Sequence, residues 1–295
     1  MAGRHAVIAQ ACQDYPGLSV RRLCDLVDVN RAWYYENQHR TLLQAGYELE
    51  GTELRDAIEQ LVLDFPGYGY RRVTKALARS GWRVNHKRVL RIMRQESLLC
   101  QLKRRFVTTT DSNHSYRTYP NLLKGMVLSA PDQAWIADIT YIRLPTAFAY
   151  LAAILDAYSR RCVGWKLSRW IDTALTLAAL EEALASREVR PGLVHHSDRG
   201  VQYASLAYVE RLEGLGVMVS MSGIGNPYDN AKAESFFKTL KQEEVYLKKY
   251  RTFEEAQANI RQFVEDVYNV KRLHSSLGYL PPVEFEALHY QNVGM

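Results

Sequence analysis

A chain of 295 residues that is 47% hydrophobic can bury one sizeable core and one or two smaller modules, and a net charge of +6 with a pI near 9.0 leaves it free to take an anionic partner. Its longest apolar run, residues 147–155, falls far short of the roughly 20 residues that span a bilayer, and the N-terminus has no signal-peptide pattern, so membrane and export roles are set aside. The four cysteines, Cys12, Cys24, Cys100 and Cys162, form no CxxC pair and no His/Cys cluster at zinc spacing, which points to a reducing, cytoplasmic setting.

The positive charge is unevenly spread. Residues 1–120 carry 19 Lys/Arg against 12 Asp/Glu, a net of +7, and the remainder sums to −1. Within 18–36, Ser19 is placed to cap a short helix with the apolar stripe Val20, Leu23, Leu26 and Val27, and Val29-Asn30 turn into a second helix. That pattern predicts a helix-turn-helix in a module spanning 1–48. A second helical module, 49–110, opens near residue 53 with Leu54, Ile58, Leu61 and Val62 facing inward and breaks at Pro66-Gly67. Two helices follow, one with Val73, Ala76 and Leu77 inward, the other with Val89, Ile92 and Met93. On a 3.6-residue wheel Lys87, Arg88, Arg91 and Arg94 gather opposite those last three. Residues 68–105 hold twelve Lys/Arg and a single acid, Glu96, where a merely solvated face would mix signs. Phosphates are expected to supply the missing negative charge. The candidate DNA-binding residues are therefore Arg71, Arg72, Lys87, Arg88, Arg91, Arg94, Lys103, Arg104 and Arg105.

Residues 111–125 have little periodicity and read as a linker. Beyond them strands are expected at 134–144, 148–155 and 161–167 in an antiparallel meander, then a helix at 172–186, a strand at 192–196, a helix at 206–215 and a strand at 217–221. This order predicts an α/β fold with a mixed sheet flanked by helices. A last stripe, Phe253, Ala256, Ile260, Phe263, Val264 and Val267, marks a C-terminal helix as packed core or an oligomer contact.

Phosphoryl transfer by two metal ions needs carboxylates that converge from separate parts of a rigid fold, because hard cations prefer oxygen ligands. Asp138 lies inside the first sheet strand, where an unpaired carboxylate is costly; Asp198 ends the fourth; Glu234 opens a helix after a turn. Each admits an ordinary role: pairing with a buried arginine for Asp138, a turn cap beside Gly200 for Asp198, a first-turn helix acid for Glu234. Gaps of 59 and 35 residues separate the three. His195 and His196 are adjacent in a strand, point to opposite faces and cannot easily share an ion, so structural or DNA-proximal roles are expected of them.

The neighbourhoods of these acids carry a resemblance. The runs His196-Ser197-Asp198-Arg199-Gly200-Val201-Gln202-Tyr203 and Asn226-Pro227-Tyr228-Asp229-Asn230-Ala231-Lys232-Ala233-Glu234-Ser235, with the final gap of 35, resemble the integrase core of DDE transposases. The match is close to the second reading frame (OrfB) of the bacterial insertion-sequence-three family. Gly69-Tyr70-Arg71-Arg72-Val73 and the tail residues Tyr268, Asn269, Arg272, His274, Ser275, Leu277, Gly278 and Tyr279 extend it over roughly 50–290.

The resemblance implies an RNase H-like catalytic core at 126–250, preceded by small all-α DNA-binding modules and followed by a helical extension at 251–295. It implies Asp138, Asp198 and Glu234 as the catalytic and metal-binding acids, with two Mg²⁺ or Mn²⁺ ions per active site. The activity implied is metal-dependent cleavage and strand transfer of insertion-sequence ends, with the helical modules gripping the terminal inverted repeats. The partners are then terminal and target DNA, in a homodimer or larger synaptic assembly on the bacterial nucleoid. Lys241 matches the family's basic residue seven positions after the glutamate; Lys238 and Lys241 share a helix face with Glu234, to hold phosphate or simply to be solvated. Retroviral integrases add a His/Cys zinc module, but no such ligand set occurs here, so zinc is not implied. Two rivals stay open, a junction resolvase of the same fold and a DNA-binding regulator with an inert sheet domain.

Overall fold

The computed structural model describes residues 2–100, 117–223 and 230–293. Three helices open the chain: α1 Ala2–Asp14, α2 Val20–Leu26 and α3 Arg31–Asp64. Ser19 caps α2 by accepting the Arg22 N–H, and Asn30 caps α3 by accepting the Ala32 N–H at 2.7 Å. The sequence gives no stripe for α1, which is alanine-rich and contributes Ile8 to a small core of Leu23, Cys24 and Tyr34. Helix α3 runs for 34 residues straight through the expected division at 48/49. Residues 37–53 contain two glycines but no proline, and are otherwise rich in strong helix formers, so nothing in them stops a helix.

The C-terminal half of α3 packs with α4 Tyr70–Arg79 and α5 His86–Gln95 around Leu54, Ile58, Val73, Leu77, Val89 and Met93. Asn85 caps α5 through the Lys87 N–H, and the inward residues are those the helical spacing predicts.

The larger body is a five-stranded sheet. Its strands are β1 Ala134–Arg143, β2 Phe148–Asp156, β3 Cys162–Ser168, β4 Val194–Ser197 and β5 Met218–Met221, with α6 Thr173–Ser186 before β4 and α7 Leu206–Glu213 before β5. The spatial order is β3-β2-β1-β4-β5. Strands β1 to β3 pair antiparallel, and β4 and β5 join parallel to β1, the RNase H-like arrangement. Alternation along the strands creates two buried faces. Trp135, Ala137, Ile154 and Val163 pack under α6 and α7. Ala134, Ile136, Ala153 and Trp165 pack under α8 Ala231–Leu240 and α9 Phe253–Gln262. Gly164 lets α6 lie hard on β3, since a Cβ there would overlap the Ala179 carbonyl.

The described part of segment 111–125 is irregular but docked: Leu122 N–H donates to Ser220 Oγ at 2.9 Å, and Met221 N–H to the Pro120 carbonyl. Two π-helical turns, Lys241–Val245 and Phe263–Tyr268, extend α8 and α9, and α10 Pro282–Val293 closes the chain. Ala256, Ile260, Phe263 and Val264 lie in the sheet core, so the apolar stripe of the tail is packed inside. Asn269 spans both backbone groups of Cys162, tying the tail to β3. Among the described residues no helix is long and apolar enough to cross a membrane.

Candidate active site

Strand register sets the first two candidate acids. Asp138 pairs with Ala153, whose side chain lies in the core beneath α8 and α9, so Asp138 faces that side of the sheet. Strand β4 runs parallel beside β1 with Ile136 opposite His196. Asp138 lies two residues beyond that pair on β1 and Asp198 follows the last residue of β4, close enough for the charge of Asp198 to act on Asp138. Asp198 stands just past the end of β4, where its Oδ1 accepts the Gly200 N–H at 2.9 Å. A Cβ on Gly200 would lie 3.0 Å from that same oxygen, a tight contact that the glycine avoids. Glu234 occupies the first turn of α8 and is exposed. The helix is pressed onto the sheet by Ala233, Phe236, Phe237 and Leu240.

Electrostatics tie the three together. The Asp138 carboxyl is pushed from 3.8 to about 8, first by burial, then by Asp198 and, more weakly, Glu234. The Ile139 N–H, 2.8 Å from Asp138 Oδ1, and the Lys241 ammonium partly oppose the shift. Lys241 is itself held down by burial and drawn back up by Asp138. Its Nζ sits 4.4 Å from the centroid of the Tyr141 ring. The hydroxyl of Tyr203 is buried within electrostatic reach of Asp138 and Asp198 and has no hydrogen-bond partner among the described residues.

This donor set suits a hard divalent cation: carboxylates that repel one another, with an orphaned hydroxyl beside them. Among the described residues, however, no three His, Cys, Asp or Glu side chains are gathered closely enough to hold a metal as they stand. The two histidines serve structure. His195 bonds Tyr208 and is lowered to about 3 by burial and by His196, while His196 lies between Ser220 and Ser222.

The candidate DNA-binding residues divide. Arg71, Lys87, Arg91, Arg94 and Lys238 are exposed, and Arg88 is half-buried. Arg72 turns inward instead: its guanidinium lies 5.7 Å from the Tyr68 ring, and its Nε is buried with no partner among the described residues. Burial and the nearby Arg272 lower its pKa. Lys103, Arg104 and Arg105 lie outside the described residues, as do residues 226–229 of the second sequence block. Of the two lysines predicted beside Glu234, Lys241 lies within electrostatic reach of Asp138. Sequence reasoning missed Tyr141, because an odd spacing from Asp138 puts it on the other face of the strand and no local pattern links it to Lys241.

The sequence matches the Integrase core domain family over residues 129–227, a further Integrase core domain family over 215–282 and an HTH-like domain over 50–106. It is 36% identical over 279 residues to the "Insertion element IS600 uncharacterized 31 kDa protein" of Shigella sonnei, an overlap of 91% of this chain and 99% of that one. To "Transposase InsF for insertion sequence IS3A" of Escherichia coli (strain K12) it is 32% identical over 270 residues, covering 91% of this chain and 94% of the relative. In backbone shape it is similar to the catalytic core domain of BIV integrase, with 16% identity, 56% and 99% of the two chains covered and a TM-score of 0.43.

Proposed function

The chain belongs to the insertion-sequence transposases that carry an integrase core and an HTH-like domain, and from that premise we propose that Asp138, Asp198 and Glu234 are the acids with which it cuts and joins DNA ends. It is a DDE transposase, and its reaction class is phosphoryl transfer between DNA strands.

The observation that supports the residue assignment is electrostatic: the charges of Asp198, just past β4, and of Glu234, in the first turn of α8, both act on the buried Asp138 carboxyl of β1. Burial first, and then the charges of Asp198 and Glu234, raise the Asp138 carboxyl, and a divalent cation held there would favour its ionised form. Asp138, Asp198 and Glu234 would supply the oxygen ligands for two Mg²⁺ or Mn²⁺ ions. Bound there, such ions supply an activated water or DNA 3′-hydroxyl and a stabilised leaving oxygen for in-line displacement at phosphorus. Lys241, steadied on Tyr141, holds a DNA phosphate against the acids, and Lys238 on the exposed side of α8 adds a weaker contact. No covalent link between enzyme and DNA is called for. Zinc has no part in the proposal, since Cys12, Cys24, Cys100 and Cys162 stand far apart in sequence with no CxxC pair or His/Cys cluster at zinc spacing.

The exposed basic residues of α4 and α5 grip the terminal inverted repeats, and two copies or more pair the two ends on the bacterial nucleoid. The test is incubation of the purified protein with Mg²⁺ or Mn²⁺ and duplexes carrying the terminal sequences that flank its own gene. Joined products that vanish in Asp138→Asn, with end binding retained, support the assignment. Hydrolysis of branched DNA without joining overturns it in favour of a resolvase.

A further inference from the structure

Helix α8 does not stop at Leu240 but continues into the π-helical turn Lys241–Val245, so Glu234, Lys241 and Glu243 ride on one continuous rod. Glu243 takes both arms of the Arg272 guanidinium, Nε to Oε2 at 2.7 Å and Nη2 to Oε1 at 2.6 Å, and the two side chains are only 6% and 4% exposed. The HTH-like domain backs onto this pair. A Cβ on Gly67 would overlap the Glu243 side chain, so the glycine there gives the carboxylate its room. The next residue, Tyr68, accepts the Leu273 N–H at its hydroxyl at 2.7 Å, and Leu273 is itself buried in the core of that domain. The seam continues outward through Lys75 over the Tyr279 ring and Arg79 paired with Glu284.

A buried ion pair is a poor means of gaining stability, because desolvation consumes most of its attraction and an apolar pair of equal size would serve as well. What it does supply is geometry: a planar guanidinium and a carboxylate meet two-pronged in few orientations. We propose that Glu243 and Arg272 are positioning residues, a joint that fixes the HTH-like domain at one offset from the rod bearing Glu234. An end gripped by α5 is thereby delivered to the acids in a set register. The inference rests on the function proposed above and adds to it a route by which DNA grip and chemistry are linked.

The experiment compares wild type with Glu243→Gln, Arg272→Lys, Gly67→Ala and the swap Glu243→Arg/Arg272→Glu. Gly67→Ala disturbs the joint from the other side without touching a charge. Three readouts are taken on each full-length protein: anisotropy of a labelled end duplex from the DNA flanking the gene, Mn²⁺-dependent joining at saturating duplex, and thermal melting. The expected result is near wild-type end affinity and cooperative melting, a joining rate lowered at least about tenfold in the three single variants, and partial recovery in the swap. Joining at the wild-type rate in Glu243→Gln or Gly67→Ala overturns the joint while leaving the functional reading intact. Binding, melting and joining that all fall together make the pair a folding element and overturn it too. A wild type that joins nothing under any divalent cation overturns the functional reading, and the joint with it.

Discussion

The Lys241 ammonium rests 4.4 Å above the Tyr141 ring, and Phe148 meets the same ring edge-on at 5.5 Å. An aromatic face holds a cation without neutralising it, so the charge stays available to a phosphate while the flexible lysine stem is steadied. Tyr141→Phe keeps the ring and is expected to join DNA ends at close to the wild-type rate. Tyr141→Ala frees Lys241 and is expected to lower joining about tenfold, in line with the 1 to 2 kcal/mol of a partly desolvated cation–π contact. Joining rates at saturating DNA check this, and an alanine variant as active as the phenylalanine variant refutes it.

Asp138 makes the metal-free protein pH-sensitive. In the unfolded chain its carboxyl titrates near 3.8, and in the folded protein near 8, through burial and then the charge of Asp198. Between those values only the folded form holds the proton. Stability therefore falls as pH rises across this window and levels off above about 8, by an amount on the order of several kcal/mol at about 1.4 kcal/mol for each tenfold change in proton affinity. Melting temperatures measured from pH 5 to 9 without divalent cations should decline for wild type and stay nearly flat for Asp138→Asn. Adding Mn²⁺ at pH 8.5 should raise the wild type and leave the variant unmoved. Equal slopes in the two proteins would count against the assignment of Asp138.

The sheet was legible because short apolar runs, alternating or continuous, and the turn residues that bound them mark each strand locally, so the expected segments and β1 to β5 differ only by a residue or two at their ends. Asp138 stood out as an acid inside an apolar strand, and Asp198 as an acid at a strand's end. The approach of Glu234 was not legible, since it depends on how Phe236 and Phe237 seat α8 on the sheet. Helix α1 buries little beyond Ile8 and so wrote no stripe. Counting basic residues put Arg72 with the DNA-facing set, but a count carries no direction, and the Tyr68 ring turned this side chain inward. The Glu243–Arg272 pair joins positions 29 apart with no local pattern between them.

The exposed cations of α5 should act through phosphate and not through sequence. Lys87→Ala, Arg91→Ala and Arg94→Ala are each expected to weaken binding to any duplex alike and to reduce the slope of log affinity against log salt by about 0.9. Arg72→Met should leave that slope unchanged, because its guanidinium is packed on Tyr68. Salt titrations of anisotropy separate the two cases. A slope lost with Arg72 and kept without Arg91 would reverse the division.

Glu286 on α10 holds the tail to the sheet body through a buried network. Its carboxylate accepts from Arg187 at 2.5 Å, Ser159 at 2.7 Å and Arg161 at 2.8 Å, and Arg187 reaches on to Asp132. Arg187 is 8% exposed, so removing Glu286 leaves a guanidinium with one remaining acidic partner and little water. Glu286→Ala should cost about 3 to 5 kcal/mol, a drop in melting temperature of roughly 10 °C. Glu254→Ala breaks the exposed Arg169 pair and should leave the melting temperature nearly unchanged. If the unpaired cation is the cause, Arg187→Met combined with Glu286→Leu should recover much of the loss, because an apolar pair needs no counter-charge. A double variant no more stable than Glu286→Ala would assign the cost to lost packing, and denaturant midpoints for the three proteins decide between the two.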